Sequence, residues 1–268
     1  MQGKTRIENL QESNIEDLVY VCSSKRLTDQ VHQQGVKLKK QWLLEMQEKY
    51  GPCGKIAYYN KQPAAQILYY PEEADPIKAF KRENVLIINC TYNPTSEAQK
   101  LGVGTGLLQS VIKDAKQRKT CLGTRQCKFI LAKAFNTGES LPLPEFYKKN
   151  GFLPTPEGNL LHLPIEGSYE PVTPVGEYEP LPEDKNKAVI FYGPICQFSY
   201  QFAKRIEGII KEVAPSIKAE MINEWEKPKE SLRRRNWWLV VNAKPIQTFF
   251  MQTEKFKQEV QQAARENF

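Results

Sequence analysis

Three glycines at alternate positions, Gly102, Gly104 and Gly106, stand between an apolar run and a helical pattern. The first N–H groups of a helix have no intrahelical partner, and the helix dipole adds partial positive charge at that end. Because glycine lacks a side chain, a ligand can approach such a backbone closely. The pattern therefore favours an anion site, most often one for phosphate. The alternative is a glycine-rich turn that packs the helix tightly on the strand.

Two familiar phosphate motifs do not fit this loop. The Walker pattern needs Gly-Lys-Ser/Thr, and the sequence Gly104-Thr105-Gly106 has no such lysine. The dinucleotide pattern needs a third glycine where Leu107 stands, in a strand–loop–helix unit that comes early in the domain. Any phosphate bound here must therefore be held by backbone amides.

The elements around the loop are predicted from the apolar pattern. Val85–Ile88 is a continuous apolar run, which is typical of a strand buried on both faces. Helical spacing after the glycines is shown by Leu107, Leu108, Val111, Ile112 and Ala115. The glycines therefore mark the point where a strand hands over to a helix.

The rest of the N-terminal part reads as a mixture of strands and helices. We predict a short strand near residue 5, a helix from Asn14, an amphipathic helix over 36–50, two strands within 55–70 joined by a turn at 60–63, a strand over 128–134, a short helix over 143–150 and a strand over 160–165. Residues 166–184 are rich in proline and acidic residues, which indicates a linker.

A second pattern begins at Lys187. It predicts strands over 188–193 and 218–222 with a helix between them, then strands over 237–241 and 246–251, then a C-terminal helix. The order is βαβ followed by ββα. We therefore expect three parts: a domain over 1–165, a linker over 166–185 and a smaller domain over 186–268.

Composition narrows the class of protein. The 268 residues are 40% hydrophobic and 26% charged, and the net charge of +7 suits an anionic ligand without by itself indicating nucleic acid. No apolar run approaches a membrane span, and the N-terminus lacks the apolar core of a signal peptide, so we expect a cytoplasmic protein. Six cysteines without a CxxC pair and two histidines without metal-ligand spacing predict no metal site.

Two stretches together resemble a known family. Gln99–Gly104 matches the Q/R-x-x-G-x-G/A loop of the GNAT-family N-acetyltransferases, and Glu145–Phe152 resembles that family's second signature, (F/L)-Y-x-K-x-G-F. The resemblance covers about residues 5–165. It implies an α/β fold in which a mixed sheet is flanked by helices.

The resemblance also implies a substrate and site residues. Acetyl-CoA would place its pyrophosphate on Gln99, Lys100, Leu101, Gly102, Val103 and Gly104, with Thr105 and Gly106 at the helix entrance. Its pantetheine arm and acetyl carbonyl would lie beside Cys90, Thr91 and Tyr92, with Asn136 as a further contact, although Asn136 stands further from Tyr147 than is usual. An acceptor amine would attack the thioester directly, and Tyr147 would protonate the departing thiolate; otherwise Tyr147 is a core residue between Phe146 and Phe152.

The acceptor and the general base are not identified by the sequence. Glu72, Glu73, Glu97 and Glu139 all stand in predicted loops, where we expect solvated carboxylates. We expect a primary amine on a small molecule or peptide, no nucleic-acid or membrane partner, and no particular oligomeric state. The segment Arg233–Arg235 beside Trp237 and Trp238 could bind nucleic acid, but a surface loop followed by a strand explains it better.

The C-terminal part resembles a thioredoxin-like domain, and the whole arrangement resembles the YoaP-type acetyltransferases. Cys196 stands where a strand enters a helix, a place that can make a thiol reactive. The motif reads Cys196-Gln-Phe-Ser199, so serine replaces the resolving cysteine and a dithiol oxidoreductase is not expected. A thiol-based redox or thiol-transfer protein using Cys196, and a non-catalytic CoA-binding module, remain the alternatives to an acetyltransferase.

Overall fold

The computed structural model describes residues 4–23, 28–134, 142–158, 160–173 and 176–265. The chain forms two compact units. The first comprises Met1–Arg26, Lys40–Asp75 and Phe80–Pro174, and the second comprises Leu27–Lys39, Pro76–Ala79 and Val175–Phe268. The second unit is therefore built from three separate stretches of sequence. The expected boundary at residue 165 and the linker over 166–185 stay predictions.

The first unit contains a mixed sheet, as predicted; it has seven strands, of which the short one over Leu153–Pro154 was not predicted. Its strands are β1 (Thr5–Asn9), β2 (Gly54–Tyr59), β3 (Gln62–Pro71), β4 (Val85–Tyr92), β5 (Phe129–Lys133), β6 (Leu153–Pro154) and β7 (Leu160–Pro164). Their order across the sheet is β1-β2-β3-β4-β5-β7-β6. Within the described residues, the central β4–β5 pair is parallel and the other pairs of this sheet are antiparallel. Val85–Ile88 has no exposed surface, as the apolar run predicts.

Among the described residues, helices α1 (Ile15–Ser23), α3 (Val103–Lys116) and α4 (Leu143–Lys149) belong to this unit. Helix α2 (Gln30–Tyr50) has residues 30–39 in the second unit and residues 40–50 in the first. The apolar face predicted for α3 is buried from Leu107 to Ala115. Helix α2 begins at Gln30, earlier than predicted. The predicted turn between β2 and β3 is present, because Asn60 and Lys61 both take positive φ angles of 49° and 69° there.

The second unit is a smaller α/β structure. Its elements are β8 (Lys187–Tyr192), α5 (Ser199–Val213), β9 (Lys218–Asn223), α6 (Pro228–Arg233), β10 (Leu239–Val241), β11 (Lys244–Pro245) and α7 (Thr253–Arg265). The strand order is β11-β10-β8-β9, with β8 parallel to β9 and the other pairs antiparallel. Its core joins apolar residues of the sheet, α5 and α7.

The N-terminal stretch of the second unit packs on the start of α5. The His32 and Phe198 rings lie 4.8 Å apart, and the Gln201 amide donates a hydrogen bond of 2.8 Å to Asp29. A Cβ added to Gly35 would stand 2.0 Å from the Gln197 carbonyl oxygen. The backbone therefore requires glycine at position 35, because any side chain would collide with the main chain of Gln197.

Two predictions for the second unit are wrong. The strand expected over 246–251 is absent from the described residues, since β11 ends at Pro245 and the following residues form a loop. Ile246 and Phe250 are nevertheless buried, so this loop supplies the apolar contacts that the pattern suggested. Strand β10 begins only at Leu239, after both tryptophans, and α6 was not predicted.

The arginines before the tryptophans do not all lie in a surface loop, which corrects a further expectation. The Arg234 guanidinium is buried and pairs with Asp184 at 2.6 Å and with Glu230 at 2.7 Å. Its charge is therefore satisfied inside the unit. Among the described helices, none is long and apolar enough to cross a membrane.

Candidate active site

The parallel pairing in the centre of the sheet stops halfway along β4. Pairing with β5 runs from Val85–Phe129 to Ile88–Ala132. Pairing with β3 continues to Tyr92, with a register shift that makes Asn89 an extra residue in β4, a β-bulge. Residues 89–92 are half-buried, whereas residues 85–88 are buried. The sheet thus departs from regular pairing at the carboxyl ends of β4 and β5, where ligands of open α/β sheets commonly bind.

Tyr147 reaches this half of β4 from helix α4. Its hydroxyl Oη lies 2.9 Å from Thr91 Oγ1, and the residue has no exposed surface. Phe146 and Phe152 pack on its ring, with centroids 5.3 Å and 5.2 Å away. Burial raises the pKa of Tyr147, against a smaller lowering by the Thr91 hydrogen bond. The hydroxyl is therefore protonated at neutral pH and is able to donate a proton.

The end of α4 fixes this tyrosine in place. Gly151 has φ +89°, and its N–H donates to the Lys148 carbonyl at 3.0 Å. The next amide, of Phe152, donates to the Tyr147 carbonyl at 3.1 Å. These two hydrogen bonds form a Schellman motif, in which glycine takes the left-handed position and the following apolar residue folds back on the helix. The turn at Gly151 in the second signature therefore places the Phe152 ring against Tyr147.

The glycine loop presents bare backbone at the start of α3. Gly102 is the N-cap, with φ +77° and no capping side chain, and Lys100 also takes a positive φ of 60°. The first helical hydrogen bond runs from the Gly106 amide to the Gly102 carbonyl at 2.8 Å. The preceding amides of the first turn lack an intrahelical carbonyl. A Cβ at Gly102 would meet no atom within 4 Å, so this side of the loop is open.

Helix α4 joins this loop to the tyrosine. A Cβ added to Gly104 would lie 3.8 Å from the Phe146 ring, and the same ring packs edge-on against Tyr147. One turn further along α3, the Gln109 amide reaches Asn150 at 3.4 Å. The two stretches that carry the resemblance, about forty residues apart in sequence, therefore lie on either side of one aromatic ring.

The other predicted loop residues have varied surroundings. The Gln99 side chain donates to the Asn93 carbonyl at 3.0 Å, so it braces the loop from within. Val103 is buried in the core, and Gly106 packs near Ile7, whose Cδ1 would lie 3.3 Å from an added Cβ. Lys100, Leu101 and Thr105 are exposed, and Cys90 and Tyr92 lie half-buried in the second half of β4. Asn136 and Glu139 fall outside the described residues.

The structure corrects the expectation that Glu72 is solvated. Glu72 has no exposed surface, and Arg82 holds both of its oxygens at 2.7 Å. It follows Pro71, which pairs with Leu86, so it lies at the opposite end of β4 from Thr91. Glu73 is also engaged, in an ion pair of 2.7 Å with Arg125.

Glu97 is exposed in the loop between β4 and α3. Hydrogen bonds from its own backbone and from Ser96 hold the pKa of Glu97 below its ordinary value. A carboxylate with a lowered pKa is a weak base, so Glu97 is poorly suited to accept a proton from an amine.

The Cys196 motif occupies the start of α5 in the second unit. Cys196 is exposed, and its carbonyl accepts a hydrogen bond of 2.9 Å from the Ser199 amide. The Ser199 hydroxyl accepts a hydrogen bond of 3.0 Å from the Gly193 amide. Ser199, which stands in the resolving position, therefore uses its hydroxyl to close the strand-to-helix turn.

Comparison with known proteins finds no matching family model and no matching curated protein. Solved structures of GNAT acetyltransferases match about 60% of the chain at low identity. They include the PaiA N-acetyltransferase of Thermoplasma acidophilum in complex with coenzyme A (15% identity, TM-score 0.42, 60% of this chain and 99% of that chain). They also include the ribosomal-protein-S18-alanine N-acetyltransferase of Escherichia coli (14%, 0.40, 63% and 99%) and a GNAT-family acetyltransferase of Brucella melitensis in complex with acetyl-CoA (11%, 0.41, 63% and 92%).

Proposed function

We propose that the protein is an N-acetyltransferase that moves the acetyl group of acetyl-CoA to a primary amine. The observation that carries the proposal is that the Phe146 ring lies beside both Gly104 and Tyr147, and so brings two separate features together. One is the protonated Tyr147 hydroxyl on the second half of β4, and the other is the uncapped, glycine-lined start of α3. An anion site beside a buried proton donor is what an acyl transfer from a phosphate-bearing thioester needs.

The residues present fit this substrate. The pyrophosphate would lie on the backbone amides between Gln99 and Thr105, where Gly102 faces open space. The pantetheine arm and the acetyl group would follow β4 beside Cys90, Thr91 and Tyr92, and Asn136 stays a proposed contact. Backbone amides of that half-strand could polarise the thioester carbonyl, because such donors stabilise the oxyanion of a tetrahedral intermediate.

The reaction follows from this placement. The amine nitrogen attacks the thioester carbon, the C–N bond forms, and the C–S bond then breaks. Tyr147 gives its proton to the departing CoA thiolate. The attacking amine loses a proton to solvent, and solvent returns a proton to the Tyr147 hydroxyl. The raised pKa of Tyr147 keeps its hydroxyl protonated before each turnover. Thr91 is a positioning residue, because its hydroxyl is hydrogen-bonded to the Tyr147 hydroxyl.

The direct test measures acetyl-CoA binding and turnover separately. Acetyl-CoA should raise Tm, and a panel of small amines and peptides should reveal an acceptor by release of CoA thiol. Binding without CoA release for any amine would reduce the site to a CoA-binding module. Failure of acetyl-CoA to bind at all would contradict the proposal.

For the second unit we propose a thioredoxin-like domain. It is supported by the parallel β8–β9 pair at one side of the sheet, the antiparallel β10–β11 hairpin, and the Cys196 turn into α5. All six cysteines are free thiols, which supports a reducing cytoplasm. The exposure of Cys196 favours a second candidate function, thiol transfer. Loss of exchange with glutathione mixed disulfides in Cys196→Ser, alongside unchanged acetyl transfer, would show that both activities exist.

A further inference from the structure

Two thiols of the first unit share one buried amide. Gln66 Nε2 lies 2.9 Å from Cys22 Sγ and 4.0 Å from Cys90 Sγ. Cys22 belongs to the last turn of α1, Gln66 to β3, and Cys90 to the second half of β4. Since both distances start at one nitrogen, the sulfurs are at most about 7 Å apart. A disulfide needs them at about 2.05 Å, so its formation requires the two side chains and their backbones to move towards each other.

The amide between the thiols is incompletely satisfied. Gln66 has no exposed surface, and its Oε1 makes no hydrogen bond within the part of the chain that the structure describes. A buried acceptor without a partner is costly, at about 1–3 kcal/mol. A small molecule with an O–H group that enters beside the sulfurs would satisfy it.

A second thiol pair of the same unit provides an internal comparison. Cys53 and Cys121 are hydrogen-bonded to each other and are 0% and 2% exposed. Burial raises the pKa of the Cys121 thiol, which keeps it in the unreactive protonated form. Cys22 and Cys90 are only half-buried. The unit thus contains one pair that solutes can reach and one that is closed to them.

We propose that Cys22 and Cys90 form a redox-modification site, which hydrogen peroxide converts into a disulfide while Gln66 Oε1 accepts a hydrogen bond from the oxidant. One thiolate attacks the O–O bond, takes up OH as a sulfenic acid, and releases hydroxide, which is protonated to water. The other thiol then displaces a second water and forms the S–S bond. Two thiols are oxidised, and one peroxide is reduced to two waters.

The site has a consequence for acetyl transfer, and this part rests on the proposed function. Cys90 directly precedes Thr91, which holds Tyr147. A disulfide has an S–S bond of about 2.05 Å, so it would draw the end of α1 and the second half of β4 together. We expect oxidation to lower turnover at least tenfold and a dithiol reductant to restore it.

The test maps the disulfide in the full chain. The Cys196→Ser variant is used because it lacks the exposed thiol that would compete for the oxidant. It is treated with hydrogen peroxide and alkylated, and its peptides are then identified by mass spectrometry. A Cys22–Cys90 disulfide should appear first, while Cys53 and Cys121 stay reduced. Persistent alkylation of Cys22 and Cys90, or earlier oxidation of the buried pair, would overturn the proposal.

Three variants complete the test. Cys22→Ser and Cys90→Ser should each abolish the disulfide and leave a sulfenic acid on the remaining thiol, which dimedone traps. Gln66→Leu keeps both thiols and should slow disulfide formation several-fold; an unchanged rate would remove Gln66 from the site. If the reduced protein transfers no acetyl group, the proposed acetyltransferase function fails, whereas the peptide map still decides the redox site.

Discussion

The substitution Gly102→Asn should weaken acetyl-CoA binding strongly while lowering the stability of the folded protein only slightly. Gly102 has φ +77°, and a Cβ there would meet no protein atom within 4 Å. Asparagine tolerates the left-handed conformation better than other residues with a side chain. The folded protein should therefore accept the substitution with a modest loss of stability. A phosphate lying on the loop amides, in contrast, would meet the new side chain.

The expected magnitudes differ between the two effects. The left-handed asparagine should cost about 1 kcal/mol, which lowers Tm by about 2–4 °C in a domain of this size. Acetyl-CoA at about 100 times its Kd should stabilise the unaltered protein by about 2.7 kcal/mol. Losing one amide–phosphate hydrogen bond, worth about 1.5–3 kcal/mol, should weaken binding about 10–100-fold. At about 30-fold, the same ligand concentration leaves only about 0.9 kcal/mol of stabilisation.

Gly123→Asn is the matched control. Gly123 also has a positive φ, of 65°, and a Cβ there meets nothing within 4 Å. It follows the opposite end of α3, a helix of 14 residues and therefore about 21 Å in length. In thermal unfolding with and without acetyl-CoA, both variants should lose a few degrees of Tm without ligand. Only Gly102→Asn should lose most of the ligand-induced rise.

A full acetyl-CoA-induced rise in Tm for Gly102→Asn would mean that the ligand does not lie on this loop. An equal loss in Gly123→Asn would mean that the effect comes from backbone strain and not from contact with the phosphates.

Three further predictions concern buried groups. Tyr147→Phe should lower kcat about 100-fold or more while leaving acetyl-CoA affinity nearly unchanged; steady-state kinetics with calorimetric binding would show a structural role if affinity fell instead. Arg82→Leu removes the two Arg82 hydrogen bonds from the buried Glu72 carboxylate and should lower the free energy of unfolding by about 3–5 kcal/mol in urea titrations. The double variant Arg82→Leu/Glu72→Leu should recover most of that loss. Burial lowers the pKa of His162, so the native state binds a proton at this imidazole less tightly than the unfolded chain does. Stability should therefore fall as pH drops below about 6.5. Tm measured from pH 8 to 5 should fall less in His162→Gln than in the unaltered protein, and an identical fall would contradict this role of His162.

Sequence reasoning predicted the parts of the site that depend on local chemistry. Gly102 and Gly151 take left-handed backbone angles that few other residues adopt, so their positions in the motifs carry structural information. The buried run Val85–Ile88 and the apolar face of α3 follow from periodicity alone. These features need no knowledge of residues far along the chain.

The features that were missed depend on non-local pairing. The bulge at Asn89 follows from the register of β3 against β4, which no residue type in β4 encodes. Glu72 appears solvated in the sequence, and only the fold shows that Arg82, ten residues on, encloses it. Gln66 reads as one polar residue in a strand, because its two thiol neighbours come from α1 and β4.

The discontinuity of the second unit affects how the chain can fold as it is made. The stretch Leu27–Lys39 leaves the ribosome long before the start of α5, on which Gly35 and His32 pack. Roughly 160 residues separate them, which corresponds to about 8–32 s of synthesis at typical elongation rates. During that interval the early stretch lacks the contacts with the start of α5 that Gly35 and His32 make in the folded unit. A fragment that begins at residue 186 would likewise lack this stretch, so expression trials of the C-terminal part should supply residues 27–39 as a separate peptide.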